Sequence, residues 1–202
     1  MMISTASLAE AQTMELPQPD LTREGSVMKA LQERHSTREF SQDTLSMQDL
    51  SDLLWAANGI NRPESGKRTA PSALNRQDVD IYVVTARGCY LYEATGHALK
   101  RICTGDYRPA VAGGQDFVRE APVSLVLVSD LSRMGNPADT GTQKASAIDA
   151  GIVSQNISIF CAAAHLATVP RMSMDEAALR KALQLKAEQQ LMLNHPVGFE
   201  KD

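Results

Sequence analysis

At 202 residues, with 43% hydrophobic and 22% charged residues, the chain has the size and balance of one globular domain that builds its core without staples. Twenty Lys and Arg against 24 Asp and Glu leave a net charge of −4, which removes any electrostatic case for binding nucleic acid or an anionic membrane. Three widely spaced cysteines (Cys89, Cys103, Cys161) with no Cys-x-x-Cys give neither a disulfide framework nor a zinc site, and no apolar run reaches transmembrane length.

Residues 1–22 read as an N-terminal arm without periodicity, and residues 23–202 as the folded domain. Leu16-Pro17-Gln18-Pro19-Asp20 disfavours a helix in the arm. Ala9-Glu10-Ala11 has the small-x-small form of a signal cleavage site but lacks a basic and an apolar region before it. A cytoplasmic location is therefore expected, or export if a signal sequence precedes that tripeptide in a longer precursor.

Residues 24–33 form the first predicted helix. Arg34-His35-Ser36-Thr37-Arg38 follows it, placing two guanidiniums, an imidazole and a hydroxyl within five residues. Arg34, Ser36 and Arg38 alternate, so in an extended segment they share a face. Two readings stand at this point: a solvated basic helix end, or a phosphate-binding run.

Ser46 with Asp49 caps a second helix carrying the stripe Leu50, Leu53, Leu54 and Ala57, which ends near Asn58-Gly59. Residues 61–69 form a polar loop. Gly66-Lys67-Arg68-Thr69 imitates a P-loop tail, but Asn61 and Arg68 occupy the places where that motif needs Gly and Ser or Thr. A second polar loop, Pro71-Ser72-Ala73-Leu74-Asn75-Arg76-Gln77, leads into a predicted hairpin of strands at 80–86 and 89–93. Residues 97–102 extend the sheet or form a short helix, and 103–117, with Gly105, Pro109, Gly113 and Gly114, form an irregular connection. Val-Ser-Leu-Val-Leu-Val-Ser at 123–129 is the best candidate for a central strand buried on both faces.

Residues 149–167 are the long core helix, apolar nearly all round and so buried in the core or at a subunit interface. Thr168-Val169-Pro170-Arg171-Met172 is an extended link, Ser173 to Glu176 is a capping box for a helix to about Leu183, and 189–193 is the last strand. The chain has no Gly-x-Ser-x-Gly, no His-Glu-x-x-His and no Gly-x-Gly-x-x-Gly after a strand, and its four histidines lack metal-ligand spacing. An enzyme built on this chain would rely on an organic cofactor.

Arg34-His35-Ser36-Thr37-Arg38-Glu39-Phe40 resembles the N-terminal signature of the FMN-dependent nitroreductase family. Pro71-Ser72-Ala73 with Asn75 and Gln77 resembles that family's second flavin-contacting loop, and the helix ending in Ala163-Ala164-His165-Leu166-Ala167 with Val169-Pro170 resembles its helix and link beside the isoalloxazine. Pro196-Val197-Gly198-Phe199 resembles the last strand. Leu53-Leu54-Trp55-Ala56-Ala57, Gly59-Ile60 and Arg68-Thr69-Ala70-Pro71-Ser72 are most similar to the branch containing azoline-oxidising dehydrogenases. His165 stands where the family often has Gly, Phe199 where it often has Tyr, and the basic tail beyond Lys201 is missing.

The resemblance implies an α+β fold, a mainly antiparallel sheet flanked by helices, in an intertwined homodimer with FMN at the interface. It implies FMN-phosphate contacts from Arg34, Ser36 and Lys201, with His35 beside them. Arg38 would sit by the flavin pyrimidine, where a cation favours the reduced cofactor. Asn75, Pro71 and Ser72 would contact its edge, and the Pro170-Arg171-Met172 backbone would pass near N5. Arg171 or Arg68 is either a contact for an acidic substrate group or a surface cation. The implied activity is ping-pong hydride transfer from NAD(P)H to a nitroaromatic or quinone, with no metal and no side-chain nucleophile. The alternatives are a flavin dehydrogenase acting on a modified peptide or small molecule, and a non-catalytic flavin-binding module.

Overall fold

The computed structural model describes residues 13–201, so the Ala9-Glu10-Ala11 tripeptide lies outside the described residues. The elements are β1 (Thr13–Glu15), α1 (Val27–Glu33), α2 (Met47–Asn58), β2 (Ile60–Arg62), β3 (Lys67–Arg68), β4 (Val79–Thr85), β5 (Gly88–Glu93), β6 (Ala98–Thr104), α3 (Arg108–Ala112), β7 (Val123–Asp130), α4 (Thr140–Ala163), β8 (Ala167–Thr168), α5 (Glu176–Ala182) and β9 (Gln189–Gly198). Seven strands form one sheet in the order β1-β6-β5-β4-β7-β9-β8, and every neighbouring pair is antiparallel. The fold is α+β, as the resemblance implies.

Alternation along the inner strands divides the core in two. On β4, Ile81 and Val83 face Leu53 and Leu54 of α2 and Val153 and Ile157 of α4. Tyr82 and Val84 face the opposite way, toward Val111 of α3 and Leu179 and Leu183 at α5. The same division splits Leu125 and Leu127 from Val126 and Val128 on β7. Helices cover both faces, which is why β7 reads as a near-continuous apolar run.

Several boundaries differ from the sequence expectation. The arm contributes β1, whose Met14 pairs with Leu99 at the sheet edge. The 61–69 loop is the small β2–β3 hairpin, and 97–102 belongs to a strand. Within 103–117, Pro109 lies in the first turn of α3 and Gly113 ends it at φ +54°, so both residues punctuate a helix instead of preventing one. Helix α4 begins nine residues before its apolar stripe, at Thr140, because Asp139 caps it by accepting the Thr142 N–H at 2.9 Å. The α5 cap is Asp175, not Ser173. Strand β9 runs through Pro196 to Gly198, flanked on its far side by only the two-residue β8.

Candidate cofactor-binding site

The chain leaves α1 at Arg34 in an extended conformation (φ −57°, ψ 116°). Three backbone bonds then stitch the segment to the end of the sheet and the C-terminus. Thr37 N–H donates to Thr168 O (3.0 Å), Ser41 N–H to Phe199 O (2.9 Å), and Lys201 N–H to Glu39 O (3.4 Å). Thr37 is buried, whereas Arg34, His35, Ser36 and Arg38 are exposed. Among the described residues, neither guanidinium enters a side-chain hydrogen bond or an ion pair. His35 and Thr37 line a cavity of about 330 Å³ shared with Cys161, His165, Thr168 and Glu200. The His35 Nδ1–H donates to the Glu33 carbonyl at 2.7 Å, and Nε2 lies 3.6 Å from a Glu200 carboxylate oxygen. That carbonyl, with Glu200 behind it, holds the imidazole above its ordinary value.

The 71–77 loop is built around left-handed backbone at Leu74 (φ 51°), Asn75 (φ 54°) and Gln77 (φ 49°). Its anchor is Asp149 of α4, a carboxylate 3% exposed that takes the Ala73 N–H on both oxygens at 2.8 and 3.1 Å. Ser72 Oγ accepts the Gln77 N–H at 2.8 Å. Gln77 in turn donates to Gly66 O and accepts from Arg68 Nε, tying the loop to the β2–β3 hairpin. Pro71 and Asn75 stand exposed, and Leu74 is 87% exposed.

Arg171 is neither a surface cation nor an open substrate contact; the structure corrects both expectations for its side chain. It is 7% exposed, and its guanidinium donates to the carbonyls of Val111 (3.1 Å) and Ala112 (2.7 Å), to Asn194 Oδ1 (2.7 Å) and to Gln115 Oε1 (3.1 Å). It closes the C-terminal end of α3, whose last carbonyls lack helical partners. Burial lowers its pKa from the usual arginine value. Its backbone exchanges two hydrogen bonds with Asn194. Pro170 and Met172 on either side are exposed, and the Met172 N–H has no backbone acceptor among the described residues.

The structure therefore brings Arg34, His35, Ser36, Arg38 and Lys201 together. The 170–172 link joins them through Phe117, which stacks on Phe40 (centroids 6.5 Å apart) and lies under the Arg171 guanidinium at 5.6 Å. Pro71, Ser72 and Asn75 are elsewhere. Their loop hangs from residue 149 of α4, while the first cluster packs around residues 161–165 of the same helix. Twelve residues of α-helix separate the two, about 18 Å along the axis. Asp149 went without a role in the sequence reading, although an acid on an otherwise apolar helix face is the mark that singles it out. His195, buried between α4 and β8, was equally silent.

The sequence profile of the Nitroreductase family matches residues 31–199. A nitroreductase-type protein of Methanocaldococcus jannaschii is 28% identical over 195 residues, covering 92% of this chain and 96% of its own. Among solved structures, a nitroreductase-type protein of Ralstonia eutropha superposes with a TM-score of 0.87 at 36% identity, covering 94% of this chain and 90% of that one. A Desulfovibrio desulfuricans protein solved in complex with FMN shares the fold, with a TM-score of 0.64 at 22% identity over 89% of this chain and 88% of its own.

Proposed function

From the premise that this chain belongs to the nitroreductase family of oxidoreductases, we propose that it binds FMN and, as a homodimer, passes reducing equivalents from NAD(P)H to an electron-poor acceptor such as a nitroaromatic or quinone. The observation that carries this reading is the donor set at residues 34–38. Two guanidiniums with no counter-ion among the described residues and a hydroxyl stand exposed within five residues, with Lys201 drawn alongside by its backbone bond to Glu39. A phosphate dianion is the group such a set fits, because Arg offers paired N–H donors to its oxygens and Ser adds a short donor.

Bound FMN would supply the redox chemistry, accepting hydride at N5 and returning electrons to the second substrate. The chain's own part is binding and orientation. Arg34, Ser36 and Lys201 hold the phosphate, with His35 beside it. Arg38 places a positive charge toward the pyrimidine ring, favouring the more negative reduced form. The unengaged Met172 N–H is a donor available to the central ring, and it needs no particular side chain.

The 18 Å offset along α4 supports a two-subunit site, in which Pro71, Ser72 and Asn75 of one protomer complete the cluster at 34–38 of the other. Apolar residues exposed on α1 (Val27 67%, Met28 75%, Leu31 50%) and on α4 (Ile148 53%) supply a surface for that association.

The test is the visible spectrum of the purified protein before and after anaerobic NADPH. Bands near about 370 and about 450 nm that bleach are expected from a nicotinamide-reduced flavin. A flavin that stays oxidised favours the second reading, a dehydrogenase acting on a modified peptide or small molecule, which the 59–72 stretch supports. A colourless protein that fails to take up FMN overturns both.

A further inference from the structure

We propose that Asp78 and Asp149 hold one proton between them, and that this acid–carboxylate pair positions the 71–77 loop. The positioning half of the inference rests on reading that loop as a cofactor contact.

Asp78 precedes β4 and is 0% exposed. Its Oδ2 accepts the Ser129 hydroxyl at 2.5 Å. Its Oδ1 is buried with no partner, one of two such side-chain atoms among the described residues. The neighbouring carboxyl is Asp149, 3% exposed, which lines one small cavity with Gln77 and Val79 on either side of Asp78 and bears directly on the Asp78 carboxyl. Two ionised carboxylates offer only acceptors, so this contact is repulsive and the orphan oxygen remains unsatisfied. One proton resolves both problems.

Its position follows from the other bonds. Both Asp149 oxygens already take the Ala73 N–H, which requires acceptors there. Ser129 occupies Asp78 Oδ2, so the proton belongs on Asp78 Oδ1, donating to Asp149. The cavity beside Asp149 holds about 10 Å³ and is not walled by Asp78, so a bridging water has little room.

Among the described residues no cation forms an ion pair with Asp78 or Asp149, and Arg133 acts on Asp78 only through space. Arg133, after β7, is spent on Asp80 (2.9 and 2.7 Å) and the Gln77 carbonyl. Arg68 of β3 is bonded to Gln77 Oε1 and the Asn58 carbonyl. Burial first, then Asp149, pushes the Asp78 carboxyl up to about 6. The folded value lies above the unfolded one of 3.8, so the contribution to stability is full below the unfolded value and is lost as pH rises to about 6.

The test pairs FMN titration by fluorescence quenching with infrared spectroscopy of the apoprotein, on wild type and Asp78→Asn. The asparagine amide replaces the carboxylic O–H as a permanent donor to Asp149. The ratio of the wild-type dissociation constant to that of Asp78→Asn is expected to rise about tenfold between about pH 5 and about pH 7, an excess slope from which titration of His35 and of the FMN phosphate cancels. A buried carboxylic-acid band that titrates near 6 is expected in wild type and absent from the variant. If Asp78→Asn fails to fold, Asp149→Asn serves the same purpose, since its amide donates to an ionised Asp78 and abolishes band and slope together. A missing band overturns the shared proton. A wild type with the band whose pH slope matches that of the variant overturns the positioning role. A wild type with the band that binds no FMN at any pH keeps the proton pair and overturns the cofactor reading.

Discussion

The Ser154 hydroxyl and the His195 ring meet at 2.7 Å in a place where His195 is 0% exposed. The hydrogen positions are fixed by what lies beyond. Thr168 Oγ1 gives its proton to the Pro196 carbonyl at 2.9 Å, so it accepts from His195 Nδ1 at 3.2 Å, and Nε2 then accepts from Ser154. The ring is neutral and joins α4, β8 and β9. Desolvation pushes its pKa down to about 3. A base whose folded value lies below its unfolded one stabilises the fold above the unfolded value and loses that contribution as pH falls. Relative to His195→Gln, the wild-type unfolding free energy should drop by about 1.4 kcal/mol per pH unit between about 6 and about 4.5. Urea titrations across that range check it; parallel curves would show that the ring is not held neutral.

Arg171→Met should cost about 3 kcal/mol in chemical denaturation, because it strands two helix-end carbonyls and Asn194 in a buried setting. A surface arginine would cost within about 0.5 kcal/mol, so the experiment separates the two descriptions of this residue.

That arginine also illustrates what the sequence could and could not convey. Strand β7 and helix α2 were legible because their patterns are local: seven apolar-rich residues between Pro122 and Asp130, and a Ser46 cap before a Leu stripe. That Arg34, Ser36 and Arg38 lie close together at the surface was legible because they fall within five residues of polar sequence. Arg171 was not, since its partners lie some 60 positions away on α3 and no spacing announces them. The first turns of α4 were hidden because Thr140-Gly141-Thr142 has no apolar period and depends on the Asp139 cap. Asp78 and Asp149 are 71 positions apart in sequence and meet only once β4 lies beneath α4.

Arg34→Gln and Arg38→Gln should each weaken FMN binding about 10- to 100-fold, the loss of one or two charge-assisted hydrogen bonds. Neither should shift the unfolding free energy by more than about 0.5 kcal/mol, as both side chains are exposed and unpaired among the described residues. Quenching titrations with parallel melts test this. A variant that binds FMN like wild type would remove Arg34 or Arg38 from the phosphate site.

Gly113→Ala should destabilise the protein by about 1–3 kcal/mol, because φ is +54° and the new Cβ would lie 2.7 Å from Met174 Cα. Thermal denaturation measures the loss. An alanine variant as stable as wild type would mean that the α3–α5 junction yields freely at this point.

Met28→Glu with Leu31→Glu should produce monomers in sedimentation velocity, since both residues are apolar and half or more exposed on α1. If the flavin site is shared between protomers, these monomers should also lose FMN while remaining folded by circular dichroism. Monomers that keep FMN would place the whole site within one chain.

Helix α4 runs 24 residues and carries the 71–77 loop at Asp149, ten residues in, and the 34–38 cluster at its C-terminal end. It is thus a measuring rod. In an assembly where one protomer's loop completes its partner's cluster, the rod's length sets the spacing between the two bound cofactors, and its winding sets their mutual heading. Deleting one residue between Val153 and Ile157 would shorten the rod by only about 1.5 Å but swing one end by about 100° against the other. A gain or loss of length in this stretch keeps the two ends in phase only when it comes as whole turns of about 3.6 residues.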